Sequence, residues 1–284
     1  MARPRTYRAQ GLVLKSVPSG EADLVAVLLS PEQGKLRAIA RGARKPSSKL
    51  VGHLEPFTLL DLTLARGHGL DTVAQAQVLE SYGPLRASLE ATSRALYLAE
   101  LVDGFAVEGA PNVPVYELLR ETLAWLEARS RGGGPATGGA TPVPPLRGHD
   151  PSTGPGHDLA LRRFELLLLK HTGFLPELYL CVECRQRLQP GAHRYTPNGG
   201  GLLCPRCTPP RVLVLPVSVQ AVKVLRFLER APLEEVERLR VAPALGEELR
   251  GLLGATLRAV LEREVRSAAF LAHLARLAGA AHTA

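Results

Sequence analysis

Four cysteines, arranged as two Cys-x-x-Cys pairs, constrain this chain more than any other feature of its sequence. Cys181 and Cys184 form the first pair, Cys204 and Cys207 form the second, and 19 residues separate the pairs. Two residues between thiolates let both sulfurs face one point, and two pairs at this spacing are typical of a zinc site. The sequence therefore predicts one structural zinc ion per chain, held by four sulfurs that leave no open position for a catalytic water.

Disulfide bonds and a redox pair are the alternative interpretations of these cysteines. Disulfides are typical of secreted proteins, whereas residues 1–16 lack the continuous apolar segment that we would expect of a signal peptide. A redox Cys-x-x-Cys motif normally occurs once, near a βαβ pattern. Zinc is therefore the favoured interpretation.

Arginines surround the cysteines in residues 181–211, which we call the cysteine module. Five arginines against Glu183 alone give this module a net charge of +4. The arginines are Arg185, Arg187, Arg194, Arg206 and Arg211. Such a charge favours contact with nucleic acid, but a module that only supports the helices around it is an equal alternative.

The length of 284 residues allows two or three domains, and the net charge of +8 favours polyanionic partners. No apolar run approaches the roughly 18 residues that a membrane-spanning helix needs. We therefore expect a cytoplasmic protein with no membrane partner.

Residues 7–80 contain five strand-like runs separated by turn signals, which predicts a small barrel of the OB type. In the third run, Leu36, Ala38 and Ala40 alternate with basic residues, so one face should pack the barrel and the other should carry cations. Six cations with no acid among them fall inside fifteen residues and are the predicted DNA-binding surface. They are Lys35, Arg37, Arg41, Arg44, Lys45 and Lys49. An ordinary solvated strand face is the alternative.

Leucines at helical spacing follow from residue 84 onward and predict helices. The predicted fold class is therefore α+β. It consists of an N-terminal five-stranded OB-type β-barrel followed by an α-helical domain with an inserted four-cysteine zinc module. The predicted domains are residues 1–80 (barrel), 81–180 (first helical part), 181–211 (cysteine module) and 212–284 (second helical part). Within the first helical part, 14 of residues 131–157 are Gly or Pro, which predicts a flexible loop.

Motifs of common enzyme classes are absent from the sequence. It contains no P-loop and no His-Glu-x-x-His motif. A nucleic-acid ligase would need Lys-x-Asp-Gly, but the only Asp-Gly pair is Asp103-Gly104, and Leu101 stands where the lysine would be. These absences favour a binding protein over an enzyme.

The order of barrel, helices, cysteine module and helices resembles that of the bacterial RecO recombination mediators over essentially the full length. The segments that carry the resemblance are GLVLKSVPSGEADLVAVLLSPEQGKLRAIARGARKPSSKLVGHLEPF, RRFELLLLKHTGFLPELYLCVEC and EVRSAAFL. The Gly/Pro-rich insert departs from the family pattern.

The resemblance implies a non-enzymatic, nucleoid-associated DNA-repair factor. Such a factor binds single- and double-stranded DNA, anneals complementary strands and, with RecR, helps RecA load onto DNA coated by the single-stranded DNA-binding protein. The resemblance places the contact with that coating protein's acidic tail on the helical domain. An RNA-binding factor in transcription or translation is the alternative function, and a purely structural adaptor is a third.

Overall fold

The computed structural model describes residues 5–48, 50, 52–130, 159–207, 213–262, 265, 267–268 and 270–271. Lys49, Arg211 and the whole predicted Gly/Pro-rich loop lie outside the described residues. The chain divides into two compact units, Met1–Pro145 and Leu146–Ala284. Each unit is described separately below.

The first unit begins with five strands that form a closed barrel in the order β1-β2-β3-β5-β4. The strands are β1 (Thr6–Ser19), β2 (Asp23–Ser30), β3 (Gly34–Ala40), β4 (Thr58–Ala65) and β5 (Asp71–Ser81). Neighbouring strands pair antiparallel except β3 and β5, which pair parallel, and β1 closes the barrel against β4. This arrangement has the five strands that the sequence predicted, and it fits the OB type.

The inside of the barrel takes alternate residues from each strand. On β3, Ala38 and Ala40 belong to the buried core and Leu36 packs against it, whereas Arg37 is exposed. On β2, Ala26 and Leu28 enter the same core. The predicted alternation of β3 is therefore confirmed, because a strand of period two sends successive side chains to opposite faces.

Up to residue 130, where the described part of this unit ends, the barrel is followed by the helices α1 (Gly83–Arg86), α2 (Leu89–Phe105) and α3 (Val113–Ser130). Ser88 caps α2 by accepting a hydrogen bond from the backbone N–H of Ala91. After α2, the chain runs along the start of β3. The N–H of Lys35 donates to the carbonyl of Val107 at 3.4 Å, and the N–H of Gly109 donates to the carbonyl of Lys35 at 3.2 Å. The loop between α2 and α3 is thereby fixed to the barrel.

In the part of the second unit that the structure describes, four named helices accompany a three-stranded sheet of order β7-β6-β8. Its elements are α4 (Leu159–His171), β6 (His193–Thr196), β7 (Gly201–Leu203), β8 (Leu215–Val217), α5 (Val219–Leu228), α6 (Leu233–Arg238) and α7 (Pro243–Leu261). Helix α4 is buried from Leu159 to Leu169 and contacts α5, α6 and α7. It is the central element of this unit.

Helix α4 ends close to where the sequence predicted. Gly173 has a φ of +85°, and the N–H of Phe174 donates to the carbonyl of Leu169 at 2.7 Å. This bond closes the last turn of the helix, and glycine adopts the required left-handed conformation without steric cost. The predicted end at Gly173 is therefore confirmed.

The compact units group α1–α3 with the barrel. The four domains that the sequence suggested stay predictions. Among the described residues, no helix combines the length and the apolar character that crossing a membrane would require.

The docking of the α2–α3 loop on β3 depends on Gly34. Gly34 has a φ of +68°, and a Cβ added to it would lie 2.2 Å from the carbonyl oxygen of Ala110. We expect Gly34→Ala to lower the free energy of unfolding by more than the about 1–2 kcal/mol that a left-handed alanine costs, because the loop must also move away.

The matched control is Gly20→Ala, since Gly20 has a φ of +60° but no atom within 4 Å of an added Cβ. Denaturant unfolding of the two variants separates the cost of the clash from that of the backbone conformation. Equal losses of stability would contradict close docking of the loop.

Candidate metal centre and nucleic-acid interface

The four cysteines predicted to bind metal lie together. The Sγ atoms of Cys181, Cys184, Cys204 and Cys207 are all within 4.8 Å of one another, and none is in a disulfide. The Sγ atoms of Cys184 and Cys204 are 3.9 Å apart. Zinc–sulfur bonds of about 2.3 Å in a tetrahedron would put the sulfurs roughly 3.8 Å apart. The cluster could therefore hold one metal ion, and its donor set fits zinc.

Tight turns of the backbone bring the two pairs into place. In the first pair, the N–H of Arg185 donates to the carbonyl of Cys181 at 2.9 Å, and Arg185 has a φ of +58°. In the second pair, the N–H of Cys207 donates to the carbonyl of Cys204 at 3.1 Å. The N–H of Cys204 also points at the Sγ of Cys181, 3.4 Å away. Backbone dipoles thus converge on the sulfurs, as a thiolate cluster requires.

The thiol pKa values reflect this arrangement. Burial raises the pKa of Cys181, but the backbone N–H groups of Cys184, Cys204 and Glu183 outweigh burial and lower that pKa to about 6. Hydrogen bonds with the sulfurs of Cys204 and Cys184 raise the pKa of Cys207 to about 12. Four thiolates repel one another, so only a cation between them lets all four sulfurs stay deprotonated at neutral pH.

Several arginines of the cysteine module stabilise its own turns. Arg194 donates to the carbonyl of Pro205 at 2.9 Å and contacts the carbonyl of Cys207 at 3.5 Å, while Arg206 donates to the side chain of Gln186. A divalent ion with four thiolates also has a formal charge of −2, which offsets half of the +4 counted from the sequence. With such an ion the module would be less cationic than its arginines suggest, and contact with nucleic acid and a purely supporting role stay equal alternatives.

A buried hydrogen bond joins the cysteine module to the helices of the second unit. The hydroxyls of Tyr195 on β6 and Thr256 on α7 are 2.5 Å apart, and both residues are about 1% exposed. Thr256 donates its own proton to the carbonyl of Leu252, so Tyr195 is the donor of the shared bond. Burial raises the pKa of Tyr195 to about 12, which keeps that proton in place at neutral pH. The β6 strand is therefore part of the core.

Of the six cations predicted to bind DNA, Lys35 differs most from the expectation. Its side chain is only 15% exposed, and its Nζ donates to the carbonyl of Asp103 at 2.7 Å and lies 3.5 Å from the Asp103 carboxylate. No acid lies among the six cations in sequence, but the end of α2 brings the Asp103 carboxylate to Lys35. The role of Lys35 in binding DNA stays a prediction, and the low exposure of its side chain weakens that prediction.

Arg37, Arg41, Arg44 and Lys45 are exposed on β3 and in the turn after it. Arg37 lies 3.8 Å from the Glu108 carboxylate, so it too has an acidic neighbour. Among the described residues, Arg41 and Lys45 have no ion-pair partner, and Arg44 donates to the backbone carbonyl of Glu21 at 3.3 Å. We call these four residues the basic strip. Lys49, the sixth predicted cation, lies outside the described residues.

Sequence reasoning missed a further cation on β1, the strand that pairs with β2 on the side away from β3. Lys15 of β1 binds the carboxylate of Asp103, with its Nζ 2.6 Å from Oδ2. It stands alone in an apolar stretch of sequence, so no local run of charge marks it. The acids that meet Lys15, Lys35 and Arg37 follow in sequence by more than 60 residues, and only the tertiary fold brings them together.

Comparison with known proteins gives one family for the whole chain. The family model described as "Recombination protein O N terminal" matches residues 1–82, and the model described as "Recombination protein O C terminal" matches residues 86–135 and 152–269. The first match covers the barrel, and the second covers the described helices after α1 together with the cysteine module.

Three similar proteins all carry the name "DNA repair protein RecO". That of Roseiflexus sp. (strain RS-1) is 39% identical over 269 residues, covering 95% of this chain and 86% of the relative. That of Desulforudis audaxviator (strain MP104C) is 36% identical and covers 94% of this chain and 96% of the relative. That of Dehalococcoides mccartyi (strain ATCC BAA-2266 / KCTC 15142 / 195) is 31% identical, covering 97% and 99%.

Proposed function

Because the chain belongs to the recombination protein O (RecO) family, we propose that it is a non-enzymatic DNA-repair factor that binds DNA and anneals complementary single strands. It works with RecR and with the single-stranded DNA-binding protein, and so helps RecA to load. The family's relatives are named for DNA repair, which does not favour the alternative of an RNA-binding factor. Such a role is exerted at the nucleoid.

The observation that carries this proposal is the basic strip on the outside of the barrel. Annealing brings two polyanions together, and cations that neutralise phosphates reduce the repulsion between them without any hydrolysis. Phosphate contacts carry no direct sequence information, so binding through the strip accepts any sequence. A factor that must act on any damaged region needs that tolerance.

The metal that fits the cysteine cluster is zinc, and we propose that it is structural. Cys181, Cys184, Cys204 and Cys207 would fill all four positions of a tetrahedral ion, leaving none for a substrate. The ion would supply the positive charge that the thiolates need. The residues of the chain hold the turns and connect them to the core through Tyr195 and Thr256.

Recognition of protein-coated DNA needs a second contact, because charge on the barrel does not distinguish coated strands from naked ones. We place that contact on the helices of the second unit, where a groove of leucines with a cation at its rim would accept the acidic tail of the single-stranded DNA-binding protein.

Zinc content tests the proposed metal site. The protein purified without chelators should contain about one zinc per chain, and Cys184→Ser should lose it, because three thiolates bind the ion far more weakly than four. Cys184 is exposed, so its replacement does not disturb the core directly. Elemental analysis and thermal unfolding should show loss of metal and of stability together. The control is Arg187→Gln, which changes an exposed residue of the same module and should keep both the zinc and the stability. Full zinc content in Cys184→Ser would refute the site.

A further prediction concerns the basic strip. The triple variant Arg41→Glu/Arg44→Glu/Lys45→Glu should lower affinity for single-stranded DNA on the order of 100-fold, because three attractive contacts become repulsive. The control has the same change of charge on exposed residues of the second unit: Lys223→Glu/Arg238→Glu/Arg240→Glu. Fluorescence anisotropy with a labelled oligonucleotide measures both. Equal losses in the two variants would mean that net charge, not the strip, governs binding.

The proposed function itself is tested by annealing of complementary oligonucleotides. The protein should accelerate annealing of naked strands, and with RecR it should also anneal strands coated by the single-stranded DNA-binding protein. Deleting the acidic tail of the coating protein should abolish annealing of coated strands and leave naked strands nearly unaffected. Failure to anneal naked strands would contradict the function; equal loss on both substrates would contradict the separate tail contact.

A further inference from the structure

A groove of about 430 Å³ lies on the outer face of the barrel beside the basic strip. Strands β1, β2 and β3 form its floor, and the end of α2 with the loop after it forms one wall. Its charged lining residues are Lys15, Arg37, Asp103 and Glu108. Arg37 belongs both to the groove and to the basic strip, so the two surfaces are continuous.

The floor of the groove is aliphatic, and its charges are placed around the rim. Val25 and Val27 of β2 lie on the face opposite the core residues Ala26 and Leu28; Val27 is 5% exposed, and Val17 of β1 is 50% exposed. The volume falls within the roughly 300–1,000 Å³ typical of small-molecule sites, which is enough for one nucleotide unit of a strand. An apolar floor with cations at the rim suits a sugar and base next to a phosphate.

Both cations of the groove already have an anionic partner within the protein. The Nζ of Lys15 is 2.6 Å from Oδ2 of Asp103, and the Nε of Arg37 is 3.8 Å from Oε1 of Glu108. Both acids come from the end of α2 and the loop after it, and that loop is fixed to β3 by the backbone bonds of Lys35. The carboxylates are therefore held at the positions that phosphates of a strand entering the groove would occupy.

The pair of Arg37 and Glu108 is open to exchange of its anion. The Arg37 side chain is 49% exposed and that of Glu108 is 58% exposed, so both are in contact with water. Exposed pairs of this kind contribute little, about 0.2–1 kcal/mol in most proteins. A phosphate can replace the carboxylate at a modest cost, and the carboxylate can return when the strand leaves.

On the premise of the proposed DNA-binding function, we propose that this groove is a phosphodiester subsite in which Glu108 and Asp103 compete with DNA for Arg37 and Lys15. The acids act as an internal substitute for phosphate. They lower the affinity of the groove for a strand, so removing one of them strengthens DNA binding. The basic strip holds a DNA strand by its phosphates, whereas the groove beside it binds the strand only weakly. The strand can therefore be released once it has paired with its complement.

The test measures affinity for a single-stranded oligonucleotide in Glu108→Gln, at fixed low salt. We expect affinity to rise about threefold, as loss of an exposed competing charge implies. The matched control is Asp61→Asn, which removes an acid paired with Arg8 at 2.9 Å on the β1–β4 side of the barrel. It changes net charge by the same amount but lies outside the groove, so its affinity should rise clearly less.

A double-mutant cycle separates a local effect from a general one. If Glu108 acts through Arg37, Glu108→Gln should raise affinity in the natural protein but not in an Arg37→Gln background. Lys15→Gln should lower affinity, because it removes a phosphate contact of the groove. Asp103→Asn is a less suitable variant, because Asp103 also binds Lys35 and its replacement could prevent folding. The variants of Glu108, Arg37 and Lys15 change exposed side chains, so the test does not depend on Asp103→Asn.

Two outcomes overturn the inference. One is an unchanged affinity in Glu108→Gln, and the other is a rise that matches that of Asp61→Asn or persists in the Arg37→Gln background. If either result is found while the triple variant of the basic strip still loses affinity, the groove is not a DNA subsite, but the proposed function is unaffected. If the triple variant also binds normally, the DNA surface on the barrel is wrong as a whole.

Discussion

Closure of the five-stranded barrel is the constraint on which the first unit depends. A closed sheet has one interior, and each strand fills that interior with every second residue. On β3, Ala38 and Ala40 satisfy the interior, so Lys35 and Arg37 must point outward. The same closure brings the outward residues of β1 and β2 next to those of β3. The three strands therefore share one continuous outer surface. The proposed DNA surface follows from the packing of the core.

We propose that the second unit depends in a comparable way on a cation at its cysteine cluster. Four thiolates at distances below 5 Å repel one another strongly unless a cation lies among them. The turns that hold the sulfurs continue into β6 and β7, and Tyr195 of β6 bonds to Thr256 in the core. A metal ion at this cluster would therefore stabilise more than the module around it, since its loss would loosen the strand whose Tyr195 hydroxyl bonds to Thr256 of α7.

Features that arise from local periodicity or spacing could be predicted from the sequence. The five strands, the alternation along β3, the end of α4 at Gly173 and the grouping of the cysteines are of this kind. The acids that face the basic residues could not be predicted. Asp103 and Glu108 reach Lys15, Lys35 and Arg37 only because a loop after α2 docks on β3, and such long-range pairing leaves no periodic signal. Of the five predicted cations that the structure describes, four are exposed, and Lys35 is largely covered beside Asp103.

The measurement that tests the central claim most directly is the salt dependence of binding to single-stranded DNA by the unmodified protein. Each phosphate neutralised contributes about −0.7 to the slope of log K against log salt concentration. If the four residues of the basic strip make the contacts, the slope should be roughly −3, and the same value should be found for oligonucleotides of different sequence. A slope near zero, or affinity that depends mainly on base sequence, would contradict binding through cations on the barrel.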